Sequence, residues 1–146
     1  MKLDTERIKR YEEKLEFIHE CLTLLKEWIP PNIEEFLRDV KTKKAVYKVV
    51  QELADCIMDI VAMMVRDEGK VVKDDYTNLH TLKQLGLITD ELLGKLRELN
   101  GLRNVLVHRY NGIDDRLAYT SILKLRNSVV EFSEVVKKWL QKKSRQ

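Results

Sequence analysis

The sequence is short of residues that interrupt helices, with only 5 glycines and 2 prolines among 146 residues. A chain so poor in breakers and so rich in Glu, Lys, Leu and Val points to a mostly helical fold. Cysteine is scarce too: Cys21 and Cys56 fall inside helical patterns, with no second thiol or histidine at metal spacing. They are expected to be reduced, buried and to pack as small hydrophobes. His19 and His80 are each isolated, and nothing resembles a glycine-rich phosphate loop or a Cys/His cluster. No metal and no cofactor are therefore expected. No apolar run reaches the ~18–20 residues needed to cross a bilayer, the longest, Cys56 to Val65, being broken by Asp59. The opening MKLDTERIKRYEEK is charged throughout, unlike a secretory leader, so a cytoplasmic protein without membrane contact is expected. Charge of one sign is also lacking: 27 basic against 24 acidic residues leave +3, which permits a nucleic-acid partner without demonstrating one.

What is present is helical periodicity, and a chain of this length fits one domain, 1–146. Leu3, Ile8, Tyr11, Leu15, Ile18, Leu22 and Leu25 recur mostly at three- and four-residue steps up to Trp28-Ile29-Pro30-Pro31, where the first helix must stop. Asn32 has the character of an N-cap for a short helix over 33–38. A long helix follows from about Thr42 to Arg66, with Ala45, Val49, Leu53, Cys56, Ile60 and Met63 on one side and Asp67-Glu68-Gly69 closing it. Asp74-Asp75-Tyr76-Thr77 opens a brief helix ending at Gly86, and Thr89-Asp90-Glu91 caps the next, which runs to His108 or Tyr110. Asp114-Asp115 starts the last helix, whose expected core is Leu117, Ile122, Leu125, Val129, Phe132, Val136, Trp139 and Leu140. Its basic tail, Lys137 to Gln146, complements the helix dipole and is expected to fray rather than to contact RNA. Trp28, Trp139 and Tyr47 are expected to be packing or dimer-interface aromatics. The architecture is an all-α, up-and-down helical bundle.

Chemistry concentrates in Arg103-Asn104-Val105-Leu106-Val107-His108-Arg109-Tyr110, just before the turn dipeptide Asn111-Gly112. At about 100° per residue, Arg97, Gly101, Asn104 and His108 share a narrow stripe. Arg103 lies about 140° from His108 on an ideal helix but only about 20° from Tyr110. Arg103 and His108 thus converge only if the helix loosens near His108 or if two copies meet across a two-fold axis. Asn104, one turn before His108, is placed to hydrogen-bond it and fix its tautomer. Each residue has a plainer alternative: His108 as a helix-end histidine stabilised by the dipole, Arg103 as a surface ion-pair residue. Asp55, on an otherwise apolar helix face, is either a functional acid or the partner of an arginine on a neighbouring helix.

The Arg103-x4-His108-x-Tyr110 segment resembles the Arg-x4-His-x-Tyr motif of the HepT toxins, a branch of the HEPN superfamily. Glu34-Glu35-Phe36-Leu37 with Ala45 to Gln51 is similar to that family's second-helix region. Asp55 and Asp59 fall where the family carries acidic residues, usually a glutamate first, and Thr77 to Ile88 resembles its short middle helix. The resemblance covers roughly residues 4–140 and implies an all-helical homodimer with both motifs lining a cleft at the interface. It further implies a metal-independent endoribonuclease toxin of a toxin–antitoxin pair, with Arg103 and His108 catalytic. The implied partner is a nucleotidyltransferase antitoxin that transfers AMP from ATP to Tyr110. Asn104 and Asp55 would support the site, Asp55 being one methylene shorter than the family's usual glutamate.

Elementary chemistry agrees with these roles. Cleaving RNA without metal uses the ribose 2′-OH, so a base must take its proton and an acid must supply the leaving oxygen. A histidine, with an ordinary pKa of about 6.5, does either at neutral pH. Arginine stays charged and offers a planar fork to the phosphorane, so Arg103→Lys should fail. AMP on Tyr110 would block RNA by bulk and negative charge. Two other classes fit the same residues: a non-catalytic helical dimer that binds a nucleotide or a nucleotidyltransferase, and a structural dimer whose motif is a helix-end salt bridge.

Overall fold

The computed structural model describes residues 2–109 and 111–145, and six helices run through them: α1 (Thr5–Trp28), α2 (Ile33–Arg38), α3 (Val40–Asp67), α4 (Asp75–Gln84), α5 (Asp90–His108) and α6 (Asp115–Arg145). Most boundaries are set by short polar side chains that satisfy otherwise unpaired N–H groups of a first turn. Asp4 accepts from the Arg7 amide at 2.8 Å, Asn32 from Glu35 at 2.9 Å, Asp74 from Thr77 at 2.9 Å, and Thr89 from Leu92 at 3.1 Å. Asp114 does the same for Leu117 at 3.1 Å. α3 begins at Val40, two residues earlier than its periodicity predicts, because Asp39 serves two helices. Its N–H closes α2 onto the Glu35 carbonyl at 3.0 Å, while its carboxylate caps α3 through the Thr42 amide at 3.1 Å. Gly69 and Gly86 end α3 and α4 with φ of 77° and 76°, a region where a side chain is strained.

α3 is the axis of the bundle, with α1 on one side and α4 and α5 on the other. The expected single stripe is therefore incomplete: Val46, Val50, Ile57, Val61, Met64 and Val65 are buried as well as Val49, Leu53, Cys56 and Ile60. α6 closes the bundle over α5, α2 and α1. Two expectations are corrected. Leu117 is 64% exposed, and Ala118 and Tyr119 take its place in the core, the Tyr119 hydroxyl donating to the Pro30 carbonyl at 2.7 Å. Trp28, at the end of α1, is 41% exposed, which leaves the interface alternative rather than core packing for it. The basic tail is not frayed among the described residues; α6 is helical to Arg145. The Leu3 amide donates to the Lys143 carbonyl at 3.2 Å, while Glu68 accepts from Lys143 Nζ at 2.7 Å and from Trp139 Nε1 at 2.9 Å.

Cys21 and Cys56 are free and buried, as expected. Burial pushes their thiols up to about 12 and about 11, so neither supplies a thiolate nucleophile at neutral pH. No helix among the described residues is long and apolar enough to cross a membrane.

Candidate functional site

The site is built where α5 crosses the middle of α3 and the start of α4. Arg103 Nε donates to Asp55 Oδ1 at 2.7 Å, joining α5 to α3. Its Nη1 donates to Asn104 Oδ1 at 3.1 Å, and Asn104 Nδ2 donates in turn to the Tyr76 hydroxyl of α4 at 3.4 Å. The guanidinium is fixed at Nε and Nη1 by this chain, with the Arg103 side chain 27% and the Asp55 side chain 43% exposed. A guanidinium carries five N–H donors, and two of them are taken among the described residues. The other three donors have no partner among the described residues, which leaves the guanidinium capacity to bind an anion such as a phosphate.

The electrostatics are mixed. Asp75, at the first position of α4, is half-buried, and burial above all raises its pKa above the ordinary carboxylate value. Asp55, Asp59 and Asp74 push it the same way, while Arg103 opposes them. Asp59 faces outward and pairs with Lys14 at 3.5 Å. Arg103 thus sits in an acidic corner, paired directly with Asp55. Among the described residues no group of three or more His, Cys, Asp or Glu side chains is placed to hold a metal ion.

The sequence-expected residues divide accordingly. Arg103, Asn104 and Asp55 come together. Asn104 bonds Arg103 and Tyr76 rather than His108, because the adjacent guanidinium and the phenol from α4 take both ends of its amide. His108 is exposed at the last position of α5, which the Arg109 amide closes onto the Val105 carbonyl at 2.9 Å. α5 is continuous to His108, so the loosening that would swing His108 toward Arg103 is absent. Within one copy the two side chains leave the helix about 140° apart. Tyr110 lies outside the described residues.

Tyr76 and Asp75 were not expected in the site. Tyr76 lies over the stripe shared by Arg97, Gly101 and Asn104: the Arg97 guanidinium sits 5.8 Å from its ring centroid, and a Cβ on Gly101 would meet its hydroxyl at 3.8 Å. Both residues reach α5 only through the packing of α4 on it, and spacing along the chain carries no signal of that crossing. The small-residue gap at Gly101, one turn before Asn104, is the one trace of it in the sequence.

Comparison with known proteins is consistent with this geometry. A family model described as ribonuclease HepT-like matches residues 18–137. An Archaeoglobus fulgidus protein named as a candidate RNase is 38% identical over 136 residues, 93% of this chain and 97% of that protein. A tRNA nuclease HepT from Aphanizomenon flos-aquae is 28% identical over 76% of each chain. Among solved structures, a tri-AMPylated HEPN toxin of Shewanella oneidensis in complex with MNT antitoxin superposes with a TM-score of 0.81 at 21% identity, covering 88% of this chain and 96% of that one. At that identity the likeness concerns the fold.

Proposed function

The chain belongs to the HepT-like ribonuclease family, and on that premise we propose that it is a metal-independent endoribonuclease toxin whose catalytic groups are Arg103 and His108. The observation that carries the proposal is an arginine held at Nε by Asp55 and at Nη1 by Asn104, with donors to spare, five residues before an exposed histidine on the same helix. Arg103 grips the scissile phosphate and stabilises the charge that builds up on the phosphorane. His108 takes the proton of the ribose 2′-OH as that oxygen attacks phosphorus. The 5′-oxygen leaves with a proton from a second acid, giving a 2′,3′-cyclic phosphate and a 5′-hydroxyl.

Because the two side chains diverge on one helix, the site is completed by a homodimer in which the motifs of two copies face one cleft. The tRNA nuclease among the relatives makes transfer RNA the first substrate to test. Regulation follows the same frame: a nucleotidyltransferase antitoxin of the MNT type adds AMP to Tyr110. The solved AMPylated toxin in complex with MNT antitoxin supports this reading by fold likeness. The position of Tyr110, seven residues after Arg103, supports it by sequence.

The test is cleavage of RNA by the purified protein in excess chelator. The proposal expects cyclic-phosphate ends, loss of cleavage in His108→Ala and Arg103→Ala, and no rescue by Arg103→Lys. A protein that leaves RNA intact but still binds a nucleotide or the nucleotidyltransferase would be the non-catalytic dimer instead.

A further inference from the structure

A second groove lies beside the motif, on the N-terminal half of α3. Its volume is about 430 Å³, and it is walled by α3 and by the end of α5 with the turn that follows. That is at the small end of the range for ligand pockets. Lys43 and Tyr47 do not offer their polar groups to it: Lys43 Nζ donates to Asp115 Oδ2 at 2.9 Å and the Tyr47 hydroxyl to Asp115 Oδ1 at 2.5 Å. This arrangement also removes Asp115 as a free negative charge in the wall. Lys44 and Lys48 remain, both exposed and without an ion pair among the described residues, with the amides of Gln51 and Asn111 beside them.

The direction of this face is what gives it meaning. α3 is unbroken from Val40 to Asp67, and at 100° per residue Lys44, Lys48, Gln51 and Asp55 fall within about 60° of one another. The basic face therefore runs straight into the carboxylate that holds Arg103. Lys48 lies about 10 Å and Lys44 about 16 Å along the axis from Asp55. Beyond Asp55 the same stripe carries Asp59, which Lys14 pairs at 3.5 Å, so a polyanion gripped by Arg103 meets the nearest unpaired cation of α3 at Lys48. Lysines on flexible stems suit successive phosphates as point charges, and the neutral amides suit sugar or base edges.

We propose that this groove is an extension of the RNA site, in which Lys44 and Lys48 bind backbone phosphates of single-stranded RNA flanking the phosphate held at Arg103. The inference rests on the nuclease reading but concerns binding, so the two are tested separately. A dye-labelled single-stranded RNA is titrated against full-length His108→Ala protein over a range of salt, with and without Lys44→Ala/Lys48→Ala. A Lys9→Ala/Lys95→Ala pair removes the same charge from exposed positions outside the groove.

Loss of two phosphate contacts lowers the slope of log affinity against log salt by about 1.4 and weakens binding by about tenfold near physiological salt. The control pair leaves the slope in place, and circular dichroism melting confirms that every variant is folded. With His108 present, Lys44→Ala/Lys48→Ala raises KM more than it lowers kcat. An unchanged affinity and slope in that variant overturns the groove while leaving the nuclease reading intact. RNA binding retained while binding of a nucleotidyltransferase partner is lost assigns the groove to a protein and also overturns it. No RNA binding by the His108→Ala parent, with no cleavage by the unmutated protein, defeats both readings together.

Discussion

Replacing Asp55 by alanine tests whether the α3–α5 contact serves catalysis or only stability. The Arg103 Nε–Asp55 Oδ1 bond is 2.7 Å long, short for a charge-assisted pair. In a dry interior a hydrogen bond to a charged group contributes about 1.5–3 kcal/mol. With Asp55 43% and Arg103 27% exposed, solvent screening reduces this to about 1 kcal/mol. As stability that is a shift of about 4 °C in Tm. If the same bond holds the guanidinium where the phosphorane forms, about 1 kcal/mol of lost orientation lowers kcat roughly fivefold. Arg103→Ala removes the fork itself and costs about 10²–10³ in kcat. The decisive quantity is the double variant: Asp55→Ala should add almost nothing on the Arg103→Ala background, since there is no longer a guanidinium to orient. Single-turnover cleavage of a short RNA measures all four proteins, with Asp55→Glu expected to restore most of the rate. Additive losses in the double variant, with Asp55→Ala acting equally with and without Arg103, would refute the positioning role. The pair would then be a structural ion pair.

Other outcomes follow from named contacts. Glu68 is pushed up by burial, but the hydrogen bonds from Lys143 and Trp139 outweigh this and hold its carboxyl below the ordinary value. Its contribution is therefore complete above the unfolded carboxylate value of about 4.3 and is lost as pH falls through the lower folded value. Glu68→Gln should lower Tm at neutral pH by about 4 °C, for about 1 kcal/mol, and should flatten the acid limb of Tm against pH. Phe132 is fully buried between helices, and Phe132→Ala should cost about 3–5 kcal/mol in chemical denaturation. Tyr110→Phe should prevent the mass increase of AMP units on co-expression with a nucleotidyltransferase antitoxin while leaving RNA cleavage in place; labelling elsewhere on the chain would contradict the modification site.

The parts of this fold legible in the sequence are those decided locally. Asn32 and Thr89 could be identified as caps because a short polar side chain before an apolar-periodic run has one good use, and each accepts an amide of its first turn. The two prolines after Ile29 end α1 for an equally local reason. What depended on tertiary packing was not legible. A single stripe on α3 is what a peripheral helix shows, and only the presence of neighbours on both sides accounts for the second set of buried residues. Leu117 fits the helical period but lies in the first turn of α6, where Tyr119 reaches Pro30 instead. At the site, an arginine partner for Asp55 is one of the two possibilities the sequence offers, and the Arg103–Asp55 bond is present. Tyr76 and Asp75 enter from α4, whose approach to α5 leaves only the gap at Gly101 as a trace.

The central claim is that Arg103 and His108, which diverge on one continuous helix, act together because two copies share a cleft. Mixing Arg103→Ala protein with His108→Ala protein, under conditions where differently tagged subunits exchange, tests it most directly. A mixed dimer keeps one intact guanidinium and one intact imidazole across the interface, so the account predicts that RNA cleavage reappears in the mixture although neither variant cuts alone. A mixture that exchanges subunits yet stays as inactive as its two components would contradict the shared site.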